Sequence, residues 1–439
     1  MNKEYSAESL LNRGTFKCSC GKEHGAHLKK YICRENALEE IPSLIKFFGG
    51  KKAYILCDKN TRKTAGEKVE KILQKSEIPF AVKVLEGDNI ETDENFIGSA
   101  VLGFDYDCDI ILGVGSGVVN DICKILSAMA KLPFIIVATA PSMDGYASST
   151  SAVIRDGLKV SLPSRCPDCV VADIDIISKA PYKMICAGLG DMLAKYISIC
   201  EWRIGNIVTG EYYCEEVASI IRCALKKCVD YYEGIKSGDK NAIASIMEGL
   251  VISGIAADYA GVSRPVSGVE HYISHIWDMR HVEFGTPCSL HGIQCAVGTL
   301  CALDYYEKIK KIRPDKEHAK RKFAEFDRKK LAVKLSDYLG GGASKMIEAL
   351  PNRELYNPSL FEERISRISE QYDEILKVID EELPDKEYIE NMLDFLSCPK
   401  TPEDIFPDGC DLPLTFECTK DIRDKYVLSA LCFDIGKCL

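Results

Sequence analysis

The chain has 439 residues, of which 46% are hydrophobic and 28% are charged, and its 56 basic and 66 acidic residues give a formal net charge of −10. This composition is typical of an acidic globular protein with two or three domains, and it disfavours nucleic acids and anionic membranes as partners. The amino terminus lacks an unbroken apolar segment, and the chain lacks a run of 18 apolar residues. We therefore expect a cytoplasmic protein without membrane insertion.

The 21 cysteines are an odd number spread over the whole chain, and we expect a cytoplasmic protein to keep them reduced. Two groups of residues raise the question of a structural zinc site: Cys18, Cys20, His24 and His27, and the pair Cys166 and Cys169. The first group lacks the usual Cys-x2-Cys spacing and the second lacks a partner pair. A turn in a hairpin is therefore the favoured interpretation of both.

Strand and helix patterns alternate in the first part of the chain. Apolar runs predict strands at residues 52–58, 80–85, 108–117 and 133–142, and helical periodicity predicts helices at 65–76, 92–103 and 119–132. This alternation predicts a parallel sheet covered on both faces. A strand-rich stretch at 148–177 follows, and long helical segments begin near Ala180. We predict an α/β domain with an amino-terminal hairpin extension over residues 1–178 and a helical domain over 179–439.

A glycine-rich loop, "GVGSGVVND" at residues 113–121, lies between a predicted strand and a predicted helix. Glycines at this place let a pyrophosphate approach the positive end of a helix, although they also form ordinary tight turns. The loop follows a later strand than it does in the common dinucleotide fold. Asp121 either caps the helix or binds a ligand hydroxyl, and Asp58, at the end of a strand, favours NADH over NADPH because a carboxylate repels a 2′-phosphate.

A carboxylate and three histidines suggest a catalytic metal site. Asp191 follows two glycines in "GLGD", which predicts that it lies near the first turn of a helix, while His271, His275 and His291 fall within 21 residues. One carboxylate and two imidazoles suit a divalent metal that keeps an open position. Since His271 and His275 are four residues apart on one predicted helix, one can bind the metal while the other reaches the substrate.

Five segments together carry a resemblance to a known family: "GVGSGVVNDICK", "ATAPSMDGYASSTSAV", "GLGDMLAKY", "SRPVSGVEHYISHIWDM" and "LHGIQCAVGTL". In order and spacing they resemble the sn-glycerol-1-phosphate dehydrogenases, most of all the bacterial branch, within the superfamily of glycerol dehydrogenases, iron-type alcohol dehydrogenases and dehydroquinate synthases. The resemblance spans roughly residues 31–300 and resumes at 422–436. It implies a Rossmann-like parallel-sheet nucleotide domain followed by an all-helical metal-binding domain.

The resemblance also implies roles for individual residues. The metal ligands fall on Asp191, His271 and His291, with zinc or nickel as the ion, and Lys195 stands where iron-type relatives have a fourth ligand. The contacts to NAD(H) or NADP(H) fall on Asp58, Gly117, Val118, Val119, Asn120, Asp121, Thr139, Ala140, Pro141, Ser142 and Ser148. The substrate contacts fall on Asp144, Asp191 and His275.

The implied reaction is the reduction of dihydroxyacetone phosphate to sn-glycerol 1-phosphate, with the metal polarising the ketone and His275 supplying a proton. Arg264 and Lys159 are candidates for the substrate phosphate because each lies near a family motif, and we expect Glu270 either to support a metal ligand or to lie on the helix surface. A glycerol or polyol dehydrogenase and a noncatalytic nucleotide-binding homologue are the alternatives. We expect a homodimer, as in relatives.

Overall fold

The computed structural model describes residues 5–437, and ten strands lie within them, numbered in chain order. They are β1 Phe16–Lys17, β2 Glu23–His24, β3 Lys30–Arg34, β4 Ala53–Asp58, β5 Phe80–Leu85, β6 Ile110–Gly115, β7 Phe134–Ala138, β8 Thr150–Arg155, β9 Leu158–Pro163 and β10 Cys169–Asp173. Six strands form one sheet in the order β3-β10-β7-β6-β4-β5, and each neighbouring pair is parallel. Two small antiparallel pairs, β1-β2 and β8-β9, stand apart from it.

The central strands of the large sheet are buried almost throughout, which explains their continuous apolar sequences. All residues of β6, β7 and β10 are buried, as are the first five residues of β4. A strand covered on both faces has no polar side to alternate with its apolar side. The predicted Rossmann-like parallel sheet is confirmed.

The order of the strands reverses between β4 and β6. From β4 the chain continues outward to β5, whereas from β6 it continues through β7 to β10 on the other side. Gly115 at the end of β6 is in register with Ala138 at the end of β7, and Cys57 of β4 is in register with Val114 of β6. In open parallel sheets, ligands bind beyond the carboxyl ends of the strands at such a reversal. The glycine-rich loop follows β6 and therefore lies at this reversal. It does so although β6 comes later in the chain than the strand that carries such a loop in the common dinucleotide fold.

Two compact units divide the chain. One contains the residues up to Met192 together with Ser219–Val262, and the other contains Leu193–Ala218 together with the residues from Ser263 onward. The first unit thus extends past the boundary predicted after residue 178 and includes a helical segment assigned by sequence to the second domain. The boundary at 178 stays a prediction about independently folding domains.

Helices are numbered through the whole chain, and short 3-10 segments are left unnumbered. The first unit has α1 Ala7–Asn12, α2 Ile41–Phe47, α3 Lys59–Thr61, α4 Glu67–Lys75, α5 Glu94–Leu102, α6 Gly117–Ala130, α7 Ile174–Ile177, α8 Tyr182–Leu193, most of α10 Glu215–Asp230, α11 Glu233–Ser237 and α12 Lys240–Ala260. Among the described residues, α12 alone is long and apolar enough to span a membrane, but 78% of its most apolar window is buried inside the protein. This burial is typical of a core helix.

The described part of the second unit contains helices and no strand. Its helices are α9 Lys195–Thr209, α13 Val269–Phe284, α14 His291–Lys310, α15 Lys316–Ala324, α16 Arg328–Leu339, α17 Ser344–Ala349, α18 Pro358–Glu382, α19 Lys386–Phe395, α20 Pro402–Ile405, α21 Leu412–Thr419 and α22 Leu428–Asp434. The prediction of a helical second part is confirmed.

Candidate metal and nucleotide sites

Two helices of the second unit bring together three side chains that could bind a metal. His271 lies in the first turn of α13, and His291 is the first residue of α14. The centroids of their imidazole rings are 5.1 Å apart, with 65° between the ring planes. One ligand atom from each of His271, His291 and Cys295 lies within 4.8 Å of the others. We call these three residues the His271 cluster.

The carboxylate of Glu270 fixes the orientation of the His271 ring. Glu270 is fully buried, and its Oε1 lies 2.7 Å from His271 Nδ1 and accepts a hydrogen bond from the Gly268 N–H at 2.8 Å. A proton on Nδ1 donated to this carboxylate leaves Nε2 as the nitrogen with a lone pair. Metal-binding histidines have this arrangement in general, because the carboxylate orients the ring and increases its basicity.

Polar side chains also hold His291. Ser274 Oγ lies 3.1 Å from His291 Nδ1, and Gln294 donates from Nε2 to Ser274 Oγ at 3.2 Å and to Asp278 Oδ1 at 2.8 Å. If Ser274 accepts the Nδ1 proton, Nε2 of His291 is also available for a metal. Both histidines of the cluster therefore have a partner that sets which nitrogen is free to coordinate.

Cys295 is the functional candidate that the sequence analysis missed. It lies one turn after His291 on α14, is fully buried, and its Sγ is 3.5 Å from His291 Nε2. Burial raises the pKa of the thiol, but the charges and hydrogen bonds of His271 and His291 outweigh this and lower the pKa below its usual range. The His-x3-Cys spacing was visible in the sequence, since residues four apart share a helix face.

His275 lies one turn beyond His271 on α13 and is half-buried. Its ring stacks on that of His291, with centroids 6.0 Å apart and 20° between the planes. Glu270 thus holds Nδ1 of His271, while His275 lies beside the cluster. The division of the two histidines of "HYISH" into a metal ligand and a substrate contact stays a prediction.

Asp191, in the first unit, lies in the last turn of α8 and not in the first turn of a helix, so that prediction was wrong. The two glycines predict a helix start, but both lie inside α8. Gly188 serves packing instead, because a Cβ at this position would collide with the carbonyl oxygen of Pro141. Asp191 is fully buried, and its Oδ2 accepts a hydrogen bond from the Asp144 N–H at 2.9 Å. Since the carboxyl end of a helix is electronegative, a buried carboxylate there favours a bound cation.

The start of α6 has the features expected of a pyrophosphate site. Ser116, which precedes the helix, makes no side-chain capping hydrogen bond, so the first N–H groups keep their capacity to bind an anion. A Cβ at Gly117 would have Met143 as its nearest neighbour, at 3.6 Å, so protein packing does not require this glycine. Asn120 is fully buried, and its Oδ1 has no hydrogen-bond partner. These features fit a nucleotide phosphate approaching the helix.

A buried lysine ties the next segment of the site to α6. Lys124 forms an ion pair with Asp121 at 3.2 Å and donates to the carbonyl oxygens of Gly145 and Thr150 at 2.5 and 3.0 Å and to Ser148 Oγ at 3.1 Å. Burial raises the pKa of the Asp121 carboxyl, and Lys124 opposes this effect. Asp121 is therefore held inside the first unit and does not act as a simple helix cap.

The remaining predicted nucleotide contacts lie at the same edge of the sheet. Thr139 follows β7, and its N–H donates to Gly115 O at 3.1 Å, which places the loop 139–142 beside the loop after β6. Val118 and Val119 lie in the first turn of α6. Asp58 ends β4, and its Oδ1 accepts hydrogen bonds from the N–H groups of Asn60 and Thr61 at 2.7 and 2.9 Å. Asp58 caps α3, and a contact with ribose stays a prediction.

Two basic residues named in the sequence analysis, Arg264 and Lys195, have hydrogen-bond partners in the structure. Arg264 is buried and donates from Nε to Glu211 Oε2 at 2.7 Å and from Nη2 to Tyr426 O at 2.8 Å. Its buried Nη1 has no hydrogen-bond partner, so Arg264 stays a candidate for the phosphate. Lys195 is fully buried and donates to Val266 O at 3.0 Å. Lys159 lies half-buried on β9 and stays a candidate for the phosphate.

The "CPDC" segment is not a hairpin turn. Cys166 and Cys169 are buried, and the segment leads into β10 of the large sheet, which pairs with β3 and β7. Burial raises the pKa of Cys169 to about 12. Both residues behave as small apolar core residues.

The parallel sheet and the helical second unit are similar in fold to solved glycerol and alcohol dehydrogenases. Residues 32–181 match the model of the family described as iron-containing alcohol dehydrogenase. Among solved structures, glycerol dehydrogenase from Schizosaccharomyces pombe superposes with a TM-score of 0.55 over 85% of this chain and 93% of that one, at 18% identity. At this identity the similarity establishes the fold.

Curated relatives identify the family. The chain is 31% identical to the glycerol-1-phosphate dehydrogenase [NAD(P)+] of Bacillus licheniformis over 308 residues, which are 69% of this chain and 77% of the relative. It is 33% identical to that of Halalkalibacterium halodurans over 301 residues, 67% of this chain and 75% of the relative. The chain belongs to the glycerol-1-phosphate dehydrogenase family, and the resemblance found in the sequence is confirmed.

Proposed function

We propose that this protein is an NAD(P)H-dependent oxidoreductase that reduces dihydroxyacetone phosphate to sn-glycerol 1-phosphate in the cytoplasm. The observation that carries the proposal is the His271 cluster, whose two imidazoles are oriented for metal binding, in a chain that belongs to the glycerol-1-phosphate dehydrogenase family. Histidines oriented in this way can hold a divalent metal, and such a metal can polarise the ketone that the reaction reduces.

We assign Asp191, His271 and His291 as the ligands of one divalent metal, zinc or nickel. When bound, the metal acts as a Lewis acid on the ketone oxygen of the substrate. The fixed nitrogens of the two histidines and the buried carboxylate at the electronegative end of α8 fit a divalent cation. Cys295 is close enough to be a further ligand, and a thiolate favours zinc or nickel over magnesium or manganese.

The nucleotide, which supplies the hydride, would lie along the carboxyl edge of the sheet with its pyrophosphate at the start of α6. Gly117, which protein packing does not require, and the unpaired Oδ1 of Asn120 support this placement. The contacts would come from Asp58, Gly117, Val118, Val119, Asn120, Asp121, Thr139, Ala140, Pro141, Ser142 and Ser148. A carboxylate at position 58 favours NADH, because it repels the 2′-phosphate of NADPH.

His275 is the proposed proton donor to the oxygen that the reduction leaves negatively charged. Its half-buried ring, stacked on His291, is close to the metal cluster, and an imidazole titrates near neutral pH. Asp144 and Asp191 would contact the substrate, and the Asp144 N–H already orients the carboxylate of Asp191.

The substrate is tested by the oxidation of NADH by metal-loaded protein in the presence of dihydroxyacetone phosphate or dihydroxyacetone. We expect a strong preference for the phosphorylated ketone and, by chiral analysis, sn-glycerol 1-phosphate as the product. A preference for dihydroxyacetone would instead indicate a polyol dehydrogenase. Nucleotide binding without turnover on either ketone would indicate a noncatalytic homologue.

The proposed assembly is a homodimer, and light scattering from purified protein measures its mass directly. One chain has a mass of 48.7 kDa, so a dimer has twice this mass.

A further inference from the structure

The amino-terminal hairpin β1-β2 contains a second group of potential metal ligands. In this hairpin Phe16 is paired with His24 and Lys17 with Glu23. The turn between the strands is closed by a hydrogen bond from Cys18 N–H to Lys22 O at 2.9 Å and has Gly21 at a φ of +86°. The tight turn brings residues 18 and 20 back toward β2.

The geometry of these side chains suits a tetrahedral metal. One ligand atom from each of Cys18, Cys20 and His24 lies within 4.8 Å of the others. Cys20 Sγ is 3.4 Å from His24 Nε2. Around tetrahedral zinc, a sulfur and a nitrogen ligand are about 3.6 Å apart, given the usual bond lengths. We call these three residues the hairpin cluster.

The surroundings of His24 provide a second, independent observation. The ring is 1% exposed, and its Nδ1 lies 2.5 Å from the backbone carbonyl oxygen of Tyr259. Because a carbonyl oxygen only accepts hydrogen bonds, Nδ1 carries the proton, and Nε2 presents its lone pair toward Cys20. The rings of Phe16 and Tyr259, with centroids 5.4 and 5.8 Å from that of His24, keep the imidazole in place. A histidine fixed in this way is prepared to coordinate a metal.

His27 does not belong to this group, although the sequence placed it beside the other three residues. Its main-chain N–H and its Nδ1 both contact the carboxylate of Asp258, at 2.9 and 3.0 Å, and its side chain is 70% exposed. His27 is therefore a matched control: a nearby histidine engaged by a carboxylate.

We infer that Cys18, Cys20 and His24 bind a structural zinc ion that is separate from the catalytic metal. Two thiolates and an imidazole are soft and borderline ligands, which select zinc over magnesium or calcium. A hairpin with two residue pairs is marginally stable alone, so a bound ion would fix its turn. A fourth ligand would come from outside the hairpin or from water.

The test uses a His271→Ala/His291→Ala protein, which removes the catalytic ligands of the second unit. Purified without chelators and analysed for metals, this protein should retain about one zinc per chain, and X-ray absorption should show at least two sulfur neighbours and a nitrogen. Adding Cys18→Ser and Cys20→Ser should abolish this zinc, and adding His27→Ala should not. A folded His271→Ala/His291→Ala protein without zinc would overturn the inference, as would zinc that survives the serine substitutions. The zinc content and X-ray absorption of the His271→Ala/His291→Ala protein are measured with the hairpin intact. These two measurements therefore test the inference even if the serine variants do not fold.

Discussion

The His271 cluster and the hairpin cluster use the same two kinds of side chain, but the protein supports them differently. In the His271 cluster, the Nδ1 of the histidine meets the carboxylate of Glu270, and in the hairpin cluster the Nδ1 of His24 meets a neutral backbone carbonyl. Both partners orient the ring and make the imidazole more basic, but only the carboxylate also adds negative charge near the ion. We infer that the group bound to Nδ1 of the histidine, a carboxylate or a carbonyl, distinguishes a reactive metal site from a structural one.

The largest effect is expected from removing a ligand of the His271 cluster. His271→Ala should release the catalytic metal and lower kcat/KM by at least about 10³-fold, because Lewis-acid stabilisation of several kcal/mol is lost. Metal analysis should show that the zinc of the hairpin cluster remains. Loss of both metals from this single variant would mean that the two clusters are not independent.

His275→Ala should lower kcat by about 10² to 10⁴-fold, the usual contribution of a general acid, while the metal content stays unchanged. A loss of turnover without a loss of metal would identify His275 as a proton donor and not as a metal ligand. His318→Ala is the control and should change neither quantity, since His318 Nε2 contacts the carbonyl oxygen of Gly436. Equal loss of metal from the His271→Ala and His275→Ala proteins would contradict the assigned roles.

Glu270→Gln tests the role of the carboxylate directly. We expect the affinity of the catalytic site for zinc to fall about 10 to 100-fold, as is usual when the partner of a metal-binding histidine is changed. The matched control in the hairpin cluster is Tyr259→Phe, which keeps the ring and the carbonyl that holds His24, and it should leave the zinc of the hairpin in place. Competition with a chromogenic chelator measures both affinities, and an unchanged affinity in Glu270→Gln would show that Glu270 acts only in packing.

Cys295→Ala should change metal preference more than activity. If the thiolate is a ligand, the ratio of zinc to manganese affinity should fall about tenfold, because sulfur favours zinc. The same ratio in Cys301→Ala, a buried cysteine on the same helix, should be that of the unaltered protein. Equal ratios in both variants would exclude Cys295 as a ligand.

The sequence predicted the parallel sheet and the helical second part because each depends on local periodicity. It misplaced Asp191 because a glycine can indicate either the terminus of a helix or a close packing contact inside one. The contact between Pro141 O and Gly188, which the sequence does not show, identifies the second case. It grouped Cys18, Cys20 and His24 in a hairpin, but it did not predict the burial and orientation of the His24 ring, since these depend on Tyr259, which is more than 200 residues away in sequence. Such contacts between distant segments leave no periodic signal.

Ionisable groups surround Glu270 in the second unit. Burial, together with the charge of Glu270, raises the pKa of Glu201 to about 8. Burial, together with Arg264 and Arg423, lowers the pKa of Lys425 to about 7. The ammonium of Lys425 donates to the carbonyl oxygens of Ser263 and Ser267 at 3.3 and 3.1 Å. The free energy of unfolding should therefore depend on pH through the titration of Glu201 and Lys425.

The smallest expected effect is a change in that dependence in Lys425→Met. The unfolded chain, with an ordinary lysine pKa of 10.5, binds more protons than the folded chain between about pH 7 and 10.5, so Lys425 makes stability rise with pH in this window. The methionine variant lacks this rise. Between pH 9 and 10.5, above the titration of Glu201, the Tm of the unaltered protein minus that of the variant should increase by a few degrees. Parallel curves for both proteins, as expected for the exposed control Lys311→Met, would show that the ammonium of Lys425 is not destabilised by the fold.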